Sequence, residues 1–342
     1  MQPLNRRHFL ALSAASFALP SHSFAKNKRL WSTLTPIPIR TQELYGAVHQ
    51  GRLFIAGGIA NKLGVPYFTD ACYSYDPAAD SWAAEPNLPE ALHHAALVSA
   101  GERLFLVGGF NGGYSHIWRM RGDIYELING TWIKIGKLPT PQAEGVLSCH
   151  DNGTIHLVTG QTQKGKANKK RSDHIEVNTH LSWRPDESNW QELEPIPTAR
   201  NSATGGWIGD QLVVAGGRTS AGNLSTTEIY DLQSGQWRTA APMPLPQAGT
   251  ASAIAKDGLL VFGGEIFVPN ANVFKEAWFY NLRQDRWTAL PPMLTPRHGI
   301  SAGRIGNKVF VVGGATQPGG KGTSDLNEAI DLAELGITFQ FA

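Results

Sequence analysis

Cysteine is scarce in this 342-residue chain, which contains only Cys72 and Cys149. The two have neither the two-residue spacing of a redox motif nor the spacing of a zinc site, so the sequence offers no metal-binding motif. They fall in non-neighbouring repeats of the pattern described below. We therefore predict two unpaired thiols, even in an oxidising compartment.

Excess charge of either sign is also lacking. The formal net charge is +2, and the first 25 residues carry Arg6 and Arg7 but no acidic residue. The remainder of the chain is therefore formally neutral. Nucleic-acid binding needs a clustered positive field, so this balance excludes a nucleic-acid partner.

Long hydrophobic runs are missing as well. The apolar run in MQPLNRRHFLALSAASFALPSHSFA (1–25) is far shorter than the stretch of about 20 residues that spans a bilayer as a helix. Paired arginines before Phe9-Leu10, with small residues at 23–25, resemble a twin-arginine export signal; an ordinary secretory signal is the alternative. We expect residues 1–25 to be cleaved and the protein to be periplasmic or secreted, without a membrane span.

Glycine, proline and tryptophan are abundant, at 37, 21 and 10 residues, which favours one large β domain with many turns. The glycines form pairs about 50 residues apart, at 57–58, 108–109, 216–217, 263–264 and 313–314, with Thr159-Gly160 as a degenerate sixth. A tryptophan series precedes these pairs in register: Trp31, Trp82, Trp132, Trp190, Trp237 and Trp287. A second aromatic series lies seven residues earlier: Tyr75, Tyr125, Trp183, Tyr230 and Tyr280, with Ile330 in the matching place of the last repeat.

Each repeat contains four short strand signals. The last repeat, for example, begins with TPRHGISAGRI (295–305), turns at IGNK and continues into KVFVVGG. Four strands in a period of about 50 residues predict an all-β, six-bladed β-propeller with four-stranded antiparallel blades over residues 26–342. The glycine pairs then end strands near the crowded centre, and the aromatic residues fill the space between blades.

The Gly-Gly, Tyr-Asp and Trp pattern resembles the kelch repeat, six times over residues 31–342. A terminal strand is expected to close the ring, because an open ring leaves unpaired sheet edges. Two segments fit the outer strand of blade six: RLWSTLTPIPIR (29–40) and ITFQF (337–341). The sequence leaves both open.

Strand direction predicts the ligand-binding face. The long loops after the glycine pairs open on the same face as the corners before each first strand. The polar corner residues expected nearest the axis are Arg40, His93, His94, Gln142, Glu144, Arg200, Gln247, Arg297 and His298. They suit an anionic or hydroxyl-rich ligand, or else line a wet channel.

Loop residues add to this face. Aromatic side chains that could stack on sugar rings, or simply pack between blades, are Tyr67, Phe68, Tyr114, Trp118, Phe267 and Phe274. The longest loop, GQTQKGKANKKRSDH (160–174), is basic and is interpreted as a solvated loop or a docking site for an acidic partner.

Three functions are compatible with these patterns. The first is a binding or interaction module for a small sugar or a protein. The second is a cofactor-free sugar mutarotase resembling the bacterial sialate mutarotases, with Glu144 and Arg200 or His298 as acid and base. The third is a copper radical oxidase, whose cysteine–tyrosine site neither cysteine is placed to form. No cofactor is expected for the first two.

The resemblance to sialate mutarotases stops at the catalytic pair. That family places a glutamate soon after a glycine pair and an arginine a few residues later. Here Arg218 stands where the glutamate is expected, and Glu265 follows the next pair with only Lys275 behind it in its loop. The residue-by-residue match therefore fails, and the resemblance implies the fold.

Overall fold

Six four-stranded antiparallel sheets make up the computed structural model, which describes residues 30–112, 117–255 and 257–335. The strands of blades 1 to 3, from the inside outwards, are Ala47–His49, Arg52–Ala56, Cys72–Asp76 and Ser81–Glu85; Ala96–Ala100, Arg103–Val107, Asp123–Ile128 and Thr131–Lys137; Val146–Cys149, Ile155–Gln163, His174–Trp183 and Gln191–Glu192. Those of blades 4 to 6 are Thr204–Ile208, Gln211–Ala215, Thr227–Asp231 and Gln236–Ala240; Ala251–Ala255, Gly258–Phe262, Ala277–Asn281 and Arg286–Leu290; Ser301–Ile305, Lys308–Val312, Asn327–Asp331 and Trp31–Thr33.

The blades form a closed ring. The innermost strand of each blade contacts the innermost strand of the next, and that of blade 6 contacts that of blade 1. The predicted six-bladed β-propeller is therefore confirmed. The described helices are the 3-10 turns Arg171–Asp173 and Leu332–Leu335, and none is long and apolar enough to cross a membrane.

The amino-terminal segment closes the ring. Trp31–Thr33 pairs antiparallel with Asn327–Asp331, and Trp31 lies opposite Ile330. This pairing matches that of Tyr280 with Trp287 in blade 5, so Ile330 takes the place of the tyrosine. The competing segment, 337–341, lies outside the described residues.

Outer tryptophans of the other blades, but not Trp190 of blade 3, donate a hydrogen bond to a neighbouring blade. Trp132 Nε1 donates to the carbonyl of Pro86 at 2.9 Å and Trp287 Nε1 to that of Ala241 at 2.9 Å, each in the corner that precedes its blade. The Tyr280 hydroxyl donates to Asp285, which accepts the Ala241 amide. Several of the predicted aromatic fillers therefore also form hydrogen bonds between blades.

The two cysteines are free, as predicted. Cys72 is buried in the third strand of blade 1, and Cys149 ends the first strand of blade 3. Burial raises the pKa of the Cys72 thiol to about 12 and that of Cys149 to about 11.

The second strand of a blade ends at a glycine pair because a side chain there would collide with the next corner. A Cβ on Gly263, at φ +62°, would lie 2.3 Å from the carbonyl oxygen of Arg297. Gly306 has a similar φ of +59°, but no heavy atom lies within 4 Å of its Cβ position. Substitutions at these two glycines therefore distinguish the cost of backbone strain from the cost of crowding.

We expect Gly306→Ala to lower the free energy of unfolding by about 1–2 kcal/mol, the cost of a left-handed backbone for a residue with a Cβ. Gly263→Ala should add about 1–3 kcal/mol of overpacking to the same strain. Denaturant titrations of both variants measure the difference. Equal losses would contradict the crowding explanation.

A buried histidine pair joins the inner part of blade 3 to blade 4. His156 Nδ1 lies 2.9 Å from His180 Nε2, and their rings pack edge-on against Trp207 and Tyr230. Burial lowers the pKa of His156 to about 3, helped by the neighbouring His180. Burial also lowers the pKa of His180 to about 4.

The histidine pair should make stability fall as the pH drops from 6.5 towards 4. Unfolded histidine titrates near 6.5, so below that pH the unfolded chain binds protons that the folded chain does not. We expect the denaturant midpoint to fall between pH 7 and pH 5, above the range where unfolded carboxylates titrate. His156→Gln should flatten this dependence. If the denaturant midpoint of this variant depends on pH as steeply as that of the wild type, the pH dependence comes from other histidines.

Candidate functional site

A cavity of about 1070 Å³ opens over the centre of the ring, on the face of the post-glycine loops. Its walls include Tyr67, Phe68, Trp118 and Phe267, and charged side chains stand at its floor. Four loop sheets surround the cavity: Thr41–Gln42 with Ile59–Lys62 and Val65–Phe68; Phe110–Asn111 with Arg119–Met120; Arg218–Thr219 with Gly222–Asn223; and Glu265–Ile266 with Asn272–Val273.

Two positions of the repeat build the floor of the cavity. The first is the corner residue just before the innermost strand of each blade, which has a left-handed backbone. Glu43, His94, Glu144 and Ser202 have φ values of 60°, 54°, 56° and 52°, and glycines occupy the same position in blades 5 and 6. Backbone amides link this position around the axis: Glu43 donates to Gly299, and Ser202 donates to Glu144. Left-handed backbone disfavours residues with side chains, and such strain is typical of functional sites.

The second repeat position is the residue directly after each glycine pair. It forms a β-bridge with a corner residue, so Arg218 lies against Asn201 and Glu265 against Ala248. The two side chains then meet across the gap between blades 4 and 5, where Arg218 Nη1 lies 2.7 Å from Glu265 Oε1. A glutamate–arginine pair is therefore assembled from neighbouring blades rather than within one loop.

Glu43 is a floor carboxylate that lines the cavity, with a 13% exposed side chain. His94 Nε2 lies 3.0 Å from one of its oxygens, and His298 Nδ1 lies 3.8 Å from the other. Burial alone would raise the pKa of Glu43, but the charge and hydrogen bond of His94 outweigh burial and lower it to about 2. Glu43 is therefore an anion between two imidazoles.

The hydrogen bonds of His93 orient His94. His93 Nε2 lies 2.7 Å from the carbonyl oxygen of Ile117, which only accepts, so this nitrogen carries a proton. Burial, with His94 close by, lowers the pKa of His93 to about 3, and its Nδ1 is then an acceptor. His94 Nδ1, at 2.7 Å, must donate to it. His94 Nε2 then faces the Glu43 carboxylate, 3.0 Å away.

Glu144 lies directly behind the floor. Arg171 from the basic loop binds both of its carboxylate oxygens, at 2.7 and 3.1 Å, and the Ser202 hydroxyl donates to it at 2.7 Å. Burial alone would raise the pKa of Glu144, but the charges of Arg171 and His94 lower it by more. The pKa of Glu144 is therefore well below its usual range. Its side chain is fully buried, so Glu144 acts on the cavity through Arg171.

Two guanidinium groups face the cavity, each over an aromatic ring. Arg171 stands 4.9 Å from the centre of the Trp118 ring, and Arg218 stands 5.4 Å from that of Phe267. Their side chains are 37% and 14% exposed. Guanidinium groups placed in this way suit a carboxylate ligand.

The basic loop 160–174 folds over the cavity. The Asn168 side chain bonds the backbone of Met120 in blade 2, at 2.7 and 3.1 Å. Lys164 and Arg171 line the cavity, while Lys166, Lys169 and Lys170 are exposed. The loop therefore contributes to the cavity, in addition to the exposed charges expected from its sequence.

Some of the residues singled out from the sequence line the cavity or contact residues that line it. His94 and Trp118 line the cavity, and Glu144 and His298 contact lining residues from behind. His93 stacks between Phe68 and Phe110, with ring centres at 4.7 and 5.4 Å. Tyr114 lies outside the described residues.

The other predicted corner residues lie away from the cavity. Gln142 donates to the Thr159 carbonyl, and Gln247 donates to that of Gly263 at 2.6 Å. Arg200 and Arg297 are fully buried and paired with Glu228 and Glu328. These four side chains satisfy the ends of inner strands. Arg40 is largely exposed and lies 3.8 Å from Asp325.

Sequence reasoning missed Glu43, Arg171, Arg218 and Glu265 as partners in one site. The available signal was the register of the corners, which align as RTQE, ALHH, PQAE, ARNS, PQAG and PRHG. Only the fourth letter points at the axis, and it selects Glu43, His94 and Glu144. Residues one or two places earlier point into strand ends or the loop sheets.

The repeats, the closed ring and the cavity over its centre define a Kelch-type β-propeller. The family described as KLHDC2/KLHL20/DRC7 Kelch-repeats domain matches residues 130–314, more than half of the chain, and the chain belongs to this Kelch-repeat family.

Three known proteins are similar to the chain. It is 26% identical over 324 residues to the Kelch-like protein terF of Aspergillus terreus, covering 91% of this chain and 70% of terF. It is 25% identical over 327 residues to an N-acetylneuraminate epimerase of Haemophilus influenzae, covering 86% of this chain and 79% of that protein. The solved structure of YjhT shares the fold with a TM-score of 0.72 at 19% identity, covering 86% of this chain and 95% of YjhT.

Proposed function

We propose that the chain binds a small acidic sugar in the central cavity and exchanges its anomers without a cofactor. The observation that carries the proposal is Glu43, an anionic carboxylate in contact with the cavity and flanked by His94 and His298. Arg171 and Arg218 stand beside it and would hold the carboxylate of the sugar. The name of the N-acetylneuraminate epimerases supports an acidic sugar as the substrate class.

The chemistry follows from proton transfer alone. Glu43 takes the proton of the anomeric hydroxyl and returns a proton to the ring oxygen, while the ring carbon–oxygen bond breaks to give the open-chain carbonyl. Rotation about the adjacent bond and the reverse transfers then close the ring as the other anomer. His94 and His298 stabilise the ionised carboxylate of Glu43 between the proton transfers. His93 orients His94 through its hydrogen bond.

Anomer exchange measured by NMR tests this proposal. Purified protein is incubated with N-acetylneuraminic acid, glucuronic acid, galacturonic acid, glucose and galactose, and the exchange rate is compared with that in buffer. We expect acceleration for at least one sugar acid and little for the neutral sugars, which lack a group for the arginines. No acceleration with any sugar would overturn the enzyme proposal.

Binding without chemistry is the second candidate. It is favoured because the floor carboxylates are all ion-paired and because Arg218 stands where the sialate mutarotase pattern has a glutamate. In this case the protein is a binding module for a sugar or a protein ligand. Saturable heat of binding with a sugar acid, without faster anomer exchange, would identify this function.

Export to the periplasm is part of the same proposal. We expect the mature protein to begin at Lys26, and replacing Arg6 and Arg7 with lysine to hold it in the cytoplasm if the twin-arginine route is used. Amino-terminal sequencing and cell fractionation measure both. Unchanged export of the lysine variant would point to the general secretory route.

A further inference from the structure

Exposed hydrophobic side chains gather at the mouth of the cavity. Among the described residues, Val65, Tyr67, Ile117, Ile175 and Phe267 line the cavity and are 39–54% exposed. Exposed apolar side chains scattered singly are normal on a protein surface, whereas a contiguous group marks a binding site.

These side chains come from four blades. Val65 and Tyr67 belong to the blade 1 hairpin, Ile117 to blade 2, Ile175 to the extended hairpin of blade 3 and Phe267 to blade 5. No single hairpin could gather them for its own packing. The ring of blades assembles them around one opening.

The cavity changes in character from floor to mouth. Its floor carries the charges of Glu43, Arg218 and Glu265, and its walls carry aromatic rings. Cavities of about 300–1,000 Å³ enclose drug-sized ligands, so 1070 Å³ is more than one sugar ring needs. A ligand that fills this cavity must be polar at one end and apolar at the other.

We infer that the ligand is an amphiphilic acid, with its anionic head between Arg171 and Arg218 and an aryl or acyl group against the apolar mouth. For the substrate class, this inference rests on the proposed function and adds an apolar substituent to the sugar acid. The apolar group lies against Val65, Ile175 and Phe267, and the two arginines exclude neutral molecules of the same shape.

Two fluorescent probes test the inference without reference to catalysis. 8-Anilinonaphthalene-1-sulfonate carries an anionic group on an aromatic body, and N-phenyl-1-naphthylamine has the same body without the charge. We expect the wild-type protein to bind the sulfonate about tenfold more tightly than the neutral amine, a difference of about 1.4 kcal/mol. Equal binding of the two probes, or no binding of the sulfonate, would overturn the inference.

Variants locate the probe. Ile175→Asn and Phe267→Ser should each weaken sulfonate binding about fivefold or more, since each removes apolar surface from the mouth. Ile133→Asn is the matched control, because Ile133 is 43% exposed like Ile175 but lies on the outer strand of blade 2. Thermal melts check that all three fold. Equal weakening by Ile133→Asn, or none by the mouth variants, would also overturn the inference.

The probe experiment and the anomer exchange experiment fail separately. Loss of probe binding in the mouth variants supports an amphiphilic ligand even if no sugar acid is turned over. A different result would be anomer exchange of an unsubstituted sugar acid together with an unchanged probe affinity in the mouth variants. It would support the proposed function and contradict the inference of an amphiphilic ligand.

Discussion

Replacing Glu43 with glutamine should slow anomer exchange by a factor of about 10²–10⁴, the usual contribution of a positioned general base. Glutamine keeps the shape and a hydrogen-bond partner for His94 but cannot accept a proton. Glu43 is ionised at neutral pH, because His94 holds its pKa near 2 against the effect of burial. The loss should therefore appear in kcat, with KM changed little.

The control for this variant is Glu102→Gln, a carboxylate in an exposed turn between the first two strands of blade 2. It should exchange anomers at the wild-type rate. His94→Gln should lie between the two, since it removes the partner but not the base. A Glu43→Gln protein that is as active as the wild type would exclude Glu43 as the base, while leaving the cavity as a binding site.

Replacing Arg200 with methionine should lower the free energy of unfolding by about 3–5 kcal/mol, as expected when one partner of a buried ion pair is removed. Arg200 Nη1 lies 2.5 Å from Glu228 Oε2, and the two side chains are 0% and 2% exposed. The variant would leave the Glu228 carboxylate without its cation and would remove a hydrogen bond to the Val214 carbonyl. Chemical denaturation followed by circular dichroism measures the loss.

An exposed ion pair provides the matched control. Arg52 Nη2 lies 3.0 Å from Asp76 in blade 1, with side chains 40% and 29% exposed. Arg52→Met should cost less than about 1 kcal/mol, because water already screens this pair. The double variant Arg200→Met/Glu228→Leu should recover most of the stability, since it removes both buried charges. Similar losses for Arg200→Met and Arg52→Met would contradict the buried-pair explanation.

The architecture could be predicted from the sequence because it repeats. A glycine pair, a tyrosine and a tryptophan at constant spacing report local geometry, and each blade obeys the same local rules. Blade 3 departs from the others, with second and third strands of 9 and 10 residues and an outer strand of two. Its long basic loop extends this hairpin over the cavity, and its degenerate Thr159-Gly160 already marked it as unusual.

The site could be predicted only in part, because spacing along the chain does not say where a side chain points. The corner supplied His94 and Glu144, but also Arg200 and Arg297, which lie two residues earlier in the repeat and are buried behind strand ends. Glu43 was missed because the sequence offers Arg40 as the polar residue of the same corner, three places earlier. A two-residue shift at a corner separates a group beside the cavity from a buried structural one.

By itself, the sequence determined the number of blades, their four strands and the face that carries the long loops, since these follow from periodic local signals. Only the tertiary structure decided that the amino-terminal strand closes the ring and that Arg218 meets Glu265. It also decided that Arg171 reaches back to Glu144. These contacts join different blades or distant loops, and they exist because ring closure brings side chains together that are 27–47 residues or more apart in the chain.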